Sequence, residues 1–69
     1  MRKFNKIVVN SYKNGTIIVE VDGKQINSKH PSIIELQNEP ILDKNAVMVA
    51  IGEANEIEIH QENLEEIDE

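Results

Sequence analysis

Cysteine is absent from this chain of 69 residues, and tryptophan with it. No disulfide can brace the fold and no thiolate metal site can form. The aromatic residues are Phe4 and Tyr12 alone, too few for the stacking platforms that hold single-stranded nucleic acid. The three glycines, Gly15, Gly23 and Gly52, each fall in a turn signal, so no glycine-rich loop is present to cradle a phosphate. No apolar run approaches the roughly 20 residues of a membrane span. The basic stretch at the N-terminus has too short an apolar run for a signal peptide. Lack of cysteine suits a reducing compartment, and the expected location is the cytoplasm.

Positive charge is missing from the second half. Residues 1–30 hold six Lys/Arg and two acids, or +4; residues 31–69 hold Lys44 and eleven acids, or −10. From Gly52 onward there is no Lys or Arg at all. Such asymmetry reads either as a solvated acidic end or as a charged docking surface.

What the chain does have is a hairpin. Lys6 to Asp22 (KIVVNSYKNGTIIVEVD) places two β-branched runs around Asn-Gly. A two-residue Asn14-Gly15 loop would set Val9 opposite Glu20 and Ile7 opposite Asp22, mixing apolar with charged. A type I turn closed by Gly15 as a G1 bulge pairs Tyr12 with Thr16, Val9 with Val19 and Ile7 with Val21. One face then carries Ile7, Val9, Ser11, Ile17, Val19 and Val21, and Lys6 stands across from Asp22. A one-residue slip exchanges the faces, so the clean apolar face selects the bulged loop. Asp22-Gly23 is a second hairpin dipeptide that folds a short third strand back, with Ile26 opposite Val19.

Beyond the hairpins the reading is of more strands. Ser32–Gln37 (SIIELQ) reads as a strand between turn residues, ended by Asn38-Glu39-Pro40. Ala46–Ile51 (AVMVAI) is a continuous apolar run, the pattern of a strand covered on both faces. Glu56–His60 (EIEIH) alternates strictly, Ile57 and Ile59 inward, as an edge strand guarded by outward carboxylates. The expected fold is therefore all-β: a small antiparallel meander forming a sandwich or partly open barrel of five to six short strands. Residues 1–60 form one domain. Residues 61–69 form an acidic tail or short helix, docking Leu64 and Ile67.

No catalytic or metal constellation emerges. Ser28 and His30 are neighbours without an orienting acid or an oxyanion turn. His30 and His60 match no zinc spacing, and no calcium loop exists. No enzyme, cofactor or metal is expected. Direct nucleic-acid binding is not expected either, because the net charge of −6 repels polyanions. The candidate partner-binding residues are Glu53, Glu56, Glu58, Glu62, Glu65 and Glu66. A core this small is marginal and invites association. The candidate oligomer interface is Val47, Val49 and Ile51 on the apolar run, and a homo-oligomer is expected.

The layout IVVNSYKNGTIIVEVDGKQI, then SIIELQ, a proline and a closing EIEI strand resembles small all-β proteins of unknown function encoded by bacteriophages. Its recognisable element is V-D-G-K-x-I at Val21–Ile26. Compact acidic phage proteins include inhibitors of bacterial defence, such as anti-CRISPR proteins. The resemblance implies a location in the host cytoplasm and assigns no functional residue.

Three functions stay open. The first is a non-enzymatic acidic module that docks on another protein with a basic surface; a phage-encoded inhibitor of a host or defence factor is one version. The second is a small-ligand binding or sequestering protein, with a pocket between protomers where Tyr12, His30, Lys24 and Lys29 meet an anion. The third is a phage virion or assembly component.

Overall fold

The computed structural model describes residues 3–63. Strand β1 (Lys3–Tyr12) and strand β2 (Ile17–Val21) form the hairpin in the expected register. Val9 faces Val19 and Ile7 faces Val21. Tyr12 N–H donates to the Thr16 carbonyl at 2.9 Å, and Gly15 N–H donates to the Tyr12 carbonyl at 3.0 Å. Gly15 has φ 93°, as the bulged loop requires.

The second turn has both central residues in the left-handed region, Asp22 at φ 52° and Gly23 at φ 85°. That is the backbone of a two-residue hairpin turn. It returns strand β3 (Lys24–Gln25) along β2, and Ile26 N–H reaches the Val19 carbonyl at 2.8 Å. Asp22 is not held by the Lys6 ammonium. Its Oδ1 accepts from the Asn5 and Lys6 N–H groups, each at 2.9 Å. Successive N–H groups of a regular strand point to opposite sides, so β1 departs from regular geometry here.

The all-β expectation fails after β3. Ser32–Gln37 lies in a helix, α1 (Pro31–Gln37), and most of the apolar run lies in a second, α2 (Lys44–Ala50). Pro31 opens α1, where its missing N–H costs nothing. His30 caps that helix, its Nδ1 accepting from Ser32 N–H at 3.1 Å. Asp43 caps α2, its Oδ1 accepting from Ala46 N–H at 2.9 Å. Ile33 and Leu36, three apart, form the buried side of α1; Ala46 and Val47 form that of α2.

Strand β4 (Glu53–Asn63) closes the described chain. It holds Ile57 and Ile59 in line with Ile7 and Val9, but it runs parallel to β1. The strand order is β3-β2-β1-β4. The sheet is therefore mixed and open, neither barrel nor sandwich. The connection from β3 to β4 must travel from one edge to the other, and its two helices lie across one face on the way. α1 packs against β2 and α2 against β4. Ile7, Val9, Ile17 and Val19 meet Ile33, Leu36, Ala46 and Val47 in the resulting core. Among the described residues the helices cover one face only, so no strand there is covered twice. This is why the apolar run of residues 46–51 is not the doubly buried strand its composition suggested. Where a C-terminal helix or tail was expected, residues 61–63 continue β4; Leu64 and Ile67 lie outside the described residues.

Candidate acidic edge on strand β4

The charge asymmetry of the sequence is partly spent inside the sheet. Parallel pairing sets Lys3 opposite Glu53 and Lys6 opposite Glu56. The Lys6 Nζ reaches Glu58 Oε2 at 3.2 Å, and Glu58 Oε1 lies 3.4 Å from His60 Nε2. The hydrogen bond from Lys6, followed by that from His60, holds the Glu58 carboxyl below the ordinary carboxylate range. The bond to Glu58, followed by the field of Glu56, raises Lys6 above the usual lysine value. Both groups are substantially exposed, so this pair orients the strands more than it stabilises them.

Of the six candidate acids, Glu53 and Glu56 are exposed on β4. Glu58 is half-buried and already engaged by Lys6. Glu62 belongs to β4, and Glu65 and Glu66 lie outside the described residues. β4 has β1 as its one strand neighbour among the described residues, so no strand pairs along its other side there; its Gln61 Nε2 donates to the Leu42 carbonyl at 2.6 Å. Ile57 and Ile59 on this strand are only half-buried, whereas Ile7 and Val9 beside them are fully buried. The sequence alternation already marks Glu56–His60; the structure extends the strand to Glu53 and Asn63. The full length of the edge was missed, although Glu53-Ala54-Asn55 carries no residue that stops a strand.

The three candidate interface residues do not share a surface. Val47 is fully buried in the chain's own core, Ile51 is half-buried against it, and Val49 is 67% exposed. Among the described residues, Ile34, Ile41 and Met48 are the other large apolar side chains left exposed. The ligand-binding set is dispersed within the chain. Lys24 sits level with Ile7, five residues down β1 from Tyr12, a separation of roughly 16 Å in strand rise alone. His30 is occupied as a helix cap, and Lys29 N–H donates to the Asn27 side chain in the preceding turn. Among the described residues no three His, Asp or Glu side chains gather as metal ligands. No helix among them is long and apolar enough to cross a membrane.

No family model, curated protein or solved structure matches the chain.

Proposed function

We propose that this chain is a non-enzymatic protein-binding module that docks through the acidic strand β4 on a partner with a basic surface. The supporting observation is the place of β4. β4 is an outermost strand of the sheet, and it holds Glu53 and Glu56 exposed. Carboxylates so placed steer a cationic partner and select it over anionic ones.

The test is fluorescence anisotropy with a labelled peptide of alternating lysine and valine. From about 0.01 M to about 1 M salt the Debye length shrinks from about 30 Å to about 3 Å. Binding should be strong at the low end and lost at the high end. Glu53→Lys or Glu56→Lys should weaken it more than Glu35→Lys, which reverses an exposed charge on α1. No binding at low salt, or equal losses for all three substitutions, contradicts the proposal.

A further inference from the structure

We propose that the partner of β4 binds as an added strand: an extended segment of another protein, lysine- or arginine-rich and alternately apolar, pairs along the outer edge. The inference rests on the docking role just given and specifies its geometry.

The two edges of the sheet are built differently. β3 ends the sheet with two residues, too few to template another chain. β4 ends it with eleven, an edge of roughly 36 Å at ordinary strand rise. Alternate residues of such a strand turn their N–H and C=O groups away from the one neighbour they have. Exposed edges are commonly blunted by lysine, proline or shortness. β4 has no lysine, no proline and full length. Its guard is carboxylate: Glu53, Glu56 and Glu58. A guard of one sign acts selectively. A second copy of β4 would bring acids against acids, which opposes self-pairing. A basic strand meets no such barrier.

The inner neighbour shows what the edge accepts. β1 offers Lys3 and Lys6 to the acids and Ile7 and Val9 to Ile57 and Ile59. Side chains of β4 stand above and below the sheet, within reach of a strand on either side. Ile57 and Ile59 are covered from the β1 side and remain half-exposed. An added strand with apolar residues on the helix side and cations on the open side would complete both.

The experiment uses the full chain and peptides of alternating lysine and valine, about ten residues long to match β4. One peptide is unmodified. Two others carry N-methyl groups on alternate residues, one on each of the two backbone edges. Charge and composition stay the same, and the protein itself is unaltered, so misfolding cannot mimic the effect. Methylation of the pairing edge should cut affinity by at least about tenfold, because several net hydrogen bonds are lost together. Methylation of the opposite edge should leave affinity unchanged, and amide shifts should follow Glu53–Asn63. If all three peptides bind equally, strand addition is refuted while charge-based docking stands. If none binds at low salt, both readings fail. If the chain instead pairs β4 with a second copy, the inference is also overturned.

Discussion

Replacing Asp22 with alanine should destabilise the chain far more than its exposed position suggests. Two effects combine. The carboxylate accepts from the Asn5 and Lys6 N–H groups, each at 2.9 Å. Hydrogen bonds to a charged acceptor contribute about 1.5–3 kcal/mol when protected, and water access here puts the pair together near the lower figure. The residue also sits at φ 52°, where alanine is strained by about 1 kcal/mol and asparagine or glycine much less. Asp22→Ala should therefore cost about 2–3 kcal/mol, a large share of the stability of so small a domain. Asp22→Asn keeps an acceptor oxygen and tolerates the conformation, so it should lose about 1 kcal/mol or less. Asp22→Gly removes the bonds without the strain and should fall between the two. Urea unfolding at neutral pH, followed by far-ultraviolet circular dichroism, gives the order directly. An alanine variant as stable as the parent would refute both terms. A glycine variant below alanine would refute the conformational term alone.

Other outcomes follow from the same geometry. Gly15→Val should cost about 1–2 kcal/mol, read by urea unfolding, through backbone strain at φ 93° alone, since an added Cβ there meets nothing within 4 Å. Asp43→Ala should cost about 1 kcal/mol by uncapping α2, read as a lowered urea midpoint; no loss would revive the strand reading of residues 46–51. Leu36→Ala should cost about 2–5 kcal/mol, since the side chain is buried and its neighbours cannot close the cavity fully. The Lys6–Glu58 pair has a pH signature with a defined sign. Glu58 is held below the ordinary 4.5, so its contribution is present above that pH and lost as pH falls through the lowered value. Lys6 is held above 10.5, so its contribution is full below that pH and lost as pH rises through the raised value. Lys6→Met should move the Glu58 titration, followed by carboxyl NMR shifts, upward; an unmoved titration would contradict the pairing.

The parts of the fold legible in the sequence are those whose partners are close along the chain. Asn14-Gly15 and Asp22-Gly23 define turns locally, and alternation in Ile7–Val9 and Ile17–Val21 leaves one acceptable register. The helices were hidden because SIIELQ and AVMVAI are short apolar pieces that fit either periodicity. Their caps were in plain view: Pro31 after His30, and Asp43 three residues before Ala46. Each serves equally well as a turn residue, and that reading prevailed. The parallel pairing of β1 with β4 has no local signal, since some forty residues separate the strands. Its trace was the charge asymmetry: Lys3 and Lys6 at one end of the chain answer Glu53, Glu56 and Glu58 near the other. The same asymmetry suggested a docking surface; the fold engages Glu58 with Lys6 and leaves Glu53 and Glu56 exposed. The dispersal of Tyr12, Lys24 and His30 was beyond reach without the strand order.

Amide hydrogen exchange along β4, with and without the lysine–valine peptide, tests the central claim most directly. In the free chain, protection should alternate: amides facing β1 slow, those facing outward fast. Saturating peptide should slow the outward set and leave the inward set unchanged. Outward amides that are already slow in the free chain, or that stay fast in the saturated complex, would contradict the account.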